Sequence, residues 1–157
     1  MPEIYTKRFA VPASAIDANA HVNNLAYVEW MQDIAVEHSA VQGWPMQRYV
    51  DIGQTWVARS HFIQYLRPGF EGDPIALHTW ISMSSTRAAT RQFVFVRERD
   101  GVVLARAETN WVYVDFRTGR PVPMPDELKA AFTVVSQEDG LERLGIRGRH
   151  SQAAGPA

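Results

Sequence analysis

The chain has 157 residues, 46% of them hydrophobic, enough for one core and too few for two comfortable domains. Its net charge is −1 and it carries no long basic run, which argues against nucleic acid as a partner. There is no cysteine, so thiolate catalysis, cysteine ligation of metals and disulfides drop out together.

The opening "MPEIYTKRF" lacks the apolar core of a signal peptide, and no apolar run approaches the roughly 20 residues that cross a bilayer. A cytoplasmic domain with no membrane span is expected. Residues 4–10 predict a short strand, followed by a polar loop at 12–22. From 23 to about 42 the period is helical: Tyr27, Trp30, Met31, Ile34, Ala35, His38 and Val41 fall on one stripe. Asn23 or Asn24 suits the N-cap, and Gly43 with Pro45 suits the stop. A helix of about 20 residues is roughly 30 Å long.

After residue 50 the period becomes two. Strands are predicted at 54–66, 75–85, 90–99 and 102–116, rich in Val, Ile, Thr, Phe, Tyr and Trp. "RPGFEGDP" at 67–74, "SSTRAA" at 84–89 and "RDG" at 99–101 supply the turns. Strands of this length, at about 3.3 Å per residue, cover the whole helix. The fold class is therefore α+β, with one mainly antiparallel sheet curled around a buried helix. A proline-rich segment and a short helix at about 126–132 follow. Residues 1–135 are read as the domain and 136–157 as a tail, with "RGRHSQAAGPA" mobile.

The most informative stretch is "IDANAHVNNLAYVEW" at 16–30. Asp17, His21, Asn23, Asn24 and Tyr27 resemble the D-x-x-G-H-V-N-N-x-x-Y signature of hotdog-fold acyl-thioester hydrolases of the hydroxybenzoyl-CoA and long-chain acyl-CoA types. "YLRPGFEGD" and "AETNWVYVDFRTGRPVPMPDEL" match in order downstream, so the resemblance covers about 3–132. It departs at Ala20, where the family carries glycine. If that position needs positive φ, alanine is strained; if it needs only close approach, alanine is a minor obstruction.

The resemblance implies a hotdog fold and hydrolysis of acyl-CoA to free acid and CoA, in fatty acid metabolism, with no cofactor. Asp17 is the implied nucleophile or general base on water, against the plainer reading of a loop carboxylate in an Asx turn. A carboxylate with a reference pKa near 3.9 is already ionised, and a thiol leaving group near 8.5 needs little acid assistance. The Asn24 backbone N–H, at the positive end of the helix, is the implied oxyanion donor. His21 and Asn23 are read as orienting groups. Tyr27, Trp30 and Met31 are candidates for the acyl pocket, with core packing as the alternative.

His38, His61, His78 and His150 lack metal-ligand spacing, so no metal is expected. Arg87 and Arg91 read as a solvated strand end, the alternative being the phosphates of coenzyme A. The family's sites lie at a dimer interface, which implies a homodimer or homotetramer. The rivals are acyl-ACP hydrolysis, since plant-type enzymes share the "HVNN" stretch, and a non-catalytic acyl-CoA-binding module. Asp17 and the lack of a DNA-binding appendage favour the enzyme.

Overall fold

The computed structural model describes residues 2–146; the tail stretch "RGRHSQAAGPA" and its His150 lie outside the described residues. Five strands form one sheet: β1 Tyr5–Ala10, β2 Gln54–Tyr65, β3 Pro74–Ser84, β4 Ala88–Arg97 and β5 Val102–Asp115, in the order β1-β3-β4-β5-β2. Every neighbouring pair is antiparallel. The long helix α1, Asn24–Val41, carries the packing contacts of one sheet face. This is the wrapped-helix arrangement that the resemblance implies.

Period-two alternation accounts for the wrapping. Ile75 and Leu77 on β3, Phe93 and Phe95 on β4, and Ala105 and Ala107 on β5 join Tyr27, Met31 and Ile34 of α1 in one buried cluster. The helix stripe holds with one exchange. Val41 is 45% exposed, and Gln42, at 6%, takes the buried place and donates to the Ala131 carbonyl at 2.9 Å.

Two short helices lie outside the sequence expectation. Helix α2, Met46–Ile52, runs from Pro45 to Gly53, which sits at φ 72° in the left-handed region where glycine terminates helices. Helix α3, Asp126–Ala131, was anticipated. Helix α4, Gln137–Arg143, starts at Ser136, whose hydroxyl accepts from the Asp139 N–H. It falls in the segment read as tail, yet it packs. Gly140 lies so close to Trp80 that a Cβ there would stand 2.3 Å from the indole, and Val135, Leu141, Leu144 and Ile146 complete a second cluster on the opposite sheet face. No helix is long and apolar enough to cross a membrane among the described residues.

Candidate active site

Residues 16–22 form a closed loop directly ahead of α1. Ile16 and Val22 make an isolated bridge, the Asp17 N–H donates to the His21 carbonyl at 2.9 Å, and the Ala20 N–H donates to the Asp17 carbonyl at 3.0 Å. Ala20 stands at φ 62°, the only non-glycine at positive φ among the described residues. The position does need left-handed backbone, so alanine here is strained by about 1–2 kcal/mol. The loop is pinned from outside at Gly69: the Val22 N–H donates to its carbonyl at 2.9 Å, and a Cβ on Gly69 would stand 2.9 Å from Val22. Gly69's own loop is tied down by buried Asp73, which accepts from the Phe70 N–H and pairs with Arg97 and Arg99.

Asp17 is half-buried at the tip. Its Oδ1 accepts from the N–H groups of Asn19 at 2.8 Å and His21 at 3.3 Å, an Asx-type arrangement. Its Oδ2 accepts from none of the described residues. One oxygen fixes the side chain while the other stays available to act. His21 is exposed and packs its ring edge-on against Phe70, 5.3 Å between centroids, rather than on Asp17.

The start of α1 is capped asymmetrically. Asn23 is the N-cap: its side chain accepts from the Leu25 N–H at 2.8 Å and its carbonyl from the Ala26 N–H at 3.0 Å. The Asn24 N–H has no acceptor among the described residues. It is therefore the free donor at the positive end of an 18-residue helix, beside the Asp17 loop. Asn23, spent on capping, does not reach Asp17 in this arrangement.

Farther along α1 the inner surface opens into a cavity of about 390 Å³ between α1, α2, β2 and α3, walled by Trp56, Trp111, Tyr49 and Phe132. Val36, Met46 and Val57, which line it, are also 44–51% exposed with Val50, so an apolar rim opens outward beside β2. At its inner wall stands Arg91. The solvated strand end expected there is wrong for this residue: Arg91 is 4% exposed, because it shares strand parity with inward-facing Phe93 and Phe95. Arg87, in the turn, is exposed.

The Arg91 guanidinium donates through Nη1 to His38 Nδ1 at 2.9 Å and to the Thr79 hydroxyl at 3.1 Å. A guanidinium has no acceptor, so His38 Nδ1 is the unprotonated nitrogen and Nε2–H donates to the Pro2 carbonyl at 3.0 Å. Burial, then the Arg91 charge, pulls His38 down to about 4, which keeps it neutral. Burial pulls Arg91 down to about 10, still protonated at neutral pH.

Tyr27 and Met31, 4% and 1% exposed, lie in the main core, with the Tyr27 ring against Trp30, Tyr65 and Phe95. Burial raises the Tyr27 hydroxyl to about 12. Trp30 is half-buried against Phe9. None of the three lines the cavity; Gln32, Ala35 and Ser39 do so from the same helix. The cavity as a whole escaped the sequence reading because its residues come from seven separated segments.

The profile of the Thioesterase-like superfamily matches residues 11–132. The palmitoyl-acyl carrier protein thioesterase of Cuphea hookeriana chloroplasts is 22% identical over 135 residues, 80% of this chain and only 32% of that protein. Among solved structures, a 1,4-dihydroxy-2-naphthoyl-CoA thioesterase from Synechocystis superposes with TM-score 0.76 at 16% identity, covering 82% of this chain and 94% of that one. A gentisyl-coenzyme A thioesterase gives 0.74 at 20% identity, covering 82% and 100%. The long helix, the antiparallel wrap and the matched profile agree: the chain is a hotdog-fold member of the Thioesterase-like superfamily.

Proposed function

We propose that this chain hydrolyses acyl-CoA thioesters to free acid and CoA, with Asp17 and the start of α1 as the reacting site. The observation that carries the reading is the pairing of a free Asp17 Oδ2 with an unclaimed Asn24 N–H across one short loop. The thioester carbonyl oxygen points at the Asn24 N–H, which stabilises the negative charge as the carbonyl carbon becomes tetrahedral. Asp17 either attacks that carbon or takes a proton from an attacking water. The C–S bond then breaks and CoA leaves as thiolate, giving the free acid directly when water attacks, or an Asp17 anhydride that a water then hydrolyses to the free acid when Asp17 attacks. Asn24 completes the reacting group through its N–H, His21, turned toward Phe70, orients the water or the thioester carbonyl, and Asn23 holds the helix start in place.

The proposal includes a two-fold dimer through β2. Among the described residues this edge strand pairs only with β5; it runs 12 residues and leaves Val57, Phe62 and Tyr65 between 45% and 64% exposed. Full antiparallel overlap of two such strands sets residues 54–58 of one copy against 61–65 of the other. Tyr65 touches the helix start, its hydroxyl donating to the Asn24 carbonyl at 3.4 Å, whereas Thr55, Trp56, Val57 and Ala58 line the cavity. The reacting loop of one copy then faces the acyl cavity of the other.

Thiol release from a panel of acyl-CoA and acyl-ACP thioesters tests the reading. Turnover of at least one CoA ester, lost in Asp17→Asn, supports it. Turnover of ACP esters alone moves the carrier assignment to ACP, as the plant relative suggests, and binding without thiol release by either carrier makes the chain a ligand-binding module.

A further inference from the structure

We infer that Arg91 makes the acyl cavity selective for acyl groups that carry an anionic group, a carboxylate above all, at the end remote from the thioester. The inference rests on the thioesterase reading and names the substrate class of that site.

Arg91 is 4% exposed and makes no ion pair among the described residues. Its two hydrogen bonds among the described residues both use Nη1, and both go to neutral acceptors, His38 and Thr79. Nε and Nη2 find no acceptor among the described residues, although the side chain lines the cavity. The Phe132 ring lies 5.8 Å from the guanidinium carbon, on the cavity wall. A buried, uncompensated positive charge is costly unless an anion meets it. The surroundings repeat the sign: Lys129 also lines the cavity, and no aspartate or glutamate does so among the described residues.

Shape narrows the ligand. The volume, about 390 Å³, lies near the small end of the roughly 300–1,000 Å³ range of ligand pockets, and the walls are aromatic. A short dicarboxylic acyl chain or an aryl group with a carboxylate fits such a space. A long saturated chain would leave the guanidinium unpaired against methylene groups. The phosphates of coenzyme A are bulky and strongly hydrated, and they do not suit a guanidinium at the inner wall of an apolar cavity.

The test compares matched thioesters: adipoyl-CoA with hexanoyl-CoA, and 4-carboxybenzoyl-CoA with 4-methylbenzoyl-CoA. The wild type is expected to prefer the carboxylate-bearing member of at least one pair by roughly ten- to a hundredfold in kcat/KM. Arg91→Met is expected to abolish or invert that ratio, and Arg91→Lys to restore part of it. A wild type that favours both neutral members overturns the inference without any variant. So does an Arg91→Met protein, folded by circular dichroism, that keeps the carboxylate preference. Weaker inhibition by free CoA in Arg91→Met than in wild type would put the guanidinium on the carrier's phosphates and overturn it as well. Calorimetry with free adipate and hexanoate separates this from the hydrolase reading. Arg91-dependent binding of adipate by a protein that releases no thiol leaves the anion site standing and removes the hydrolase.

Discussion

On the proposed reading, two regions at opposite ends of α1 divide the work, and they are built by opposite physics. The loop at 16–22 and the helix start are open to water, satisfied by their own backbone, and leave two groups free: Asp17 Oδ2 and the Asn24 N–H. The cavity around Arg91 is largely apolar, drawn from helices and strands far apart in the chain, and holds one buried charge without an ion-pair partner among the described residues. A reacting site needs its ion hydrated enough to stay charged and near enough to a dipole to act. A recognition site gains most from a charge that only the right ligand can satisfy. If the proposed roles hold, the difference teaches that chemistry here is local in sequence, whereas selectivity is a property of assembly.

The sharpest break in that division comes from Asp17→Asn. Asparagine offers the same oxygen to the Asn19 and His21 N–H groups, so the melting temperature should stay within a degree or two. Thioester turnover should fall by at least about 10²-fold, the range of a lost general base or more. Steady-state kinetics beside a melting curve checks it. Near wild-type turnover would remove chemistry from this end of the helix.

Next in size is a contrast on α1 itself. Met31 is 1% exposed in the core, so Met31→Ala should cost about 2–5 kcal/mol by denaturant titration while leaving the acyl-length profile alone. Ala35 lines the cavity, so Ala35→Leu should shorten the preferred acyl group with a smaller loss of stability. A shifted profile in Met31→Ala would return that residue to the acyl pocket.

The buried cluster also sets an acid limit. Burial lowers His38 and His78 from the ordinary imidazole value of 6.5 to about 4, so the folded protein binds fewer protons than the unfolded chain between those values. Their contribution to stability is complete above pH 6.5 and is lost as pH falls toward 4. Melting temperature should decline across that window, and His38→Gln should make the decline shallower without abolishing it, since His78 remains. An unchanged slope would mean that His38 is solvated.

The smallest effect is expected at Ala20. Glycine there relieves the strain of φ 62° but adds freedom to the unfolded chain, leaving a net gain of about 0.5–1 kcal/mol by chemical denaturation. A loss of stability would show that the alanine methyl contributes packing that outweighs its strain.

How far the sequence could be read follows the same division. Asp17, Asn23 and Asn24 are neighbours in the chain, so a short motif specifies the loop, the cap and the free N–H together. The strands were legible through alternation, and their observed ends differ from expectation by one or two residues. Helix α4 was not legible, because its small apolar face matters only against Trp80, and the decisive residue is Gly140, which has no side chain to signal it. Arg91 was legible in principle. It alternates in phase with Phe93 and Phe95, but a charge beside a turn reads as solvated unless parity is given more weight than residue type. Val41 fitted the helical stripe by spacing alone, while the hydrogen bond from Gln42 to Ala131 depends on a segment 89 residues later that no local pattern contains.

The central claim, that the reacting loop of one copy serves the acyl cavity of another, is tested most directly by mixing two inactive proteins. Asp17→Asn lacks the reacting carboxylate, and Ala35→Trp fills the cavity; each alone should show little turnover. Co-expressed, they form mixed dimers in which one site carries both defects and the other carries neither. Random pairing should then restore about a quarter of wild-type thiol release. If loop and cavity of the same copy work together, every site in the mixed dimer is defective. No recovery above the separate variants, from a preparation shown by mass spectrometry to contain mixed dimers, would contradict the account.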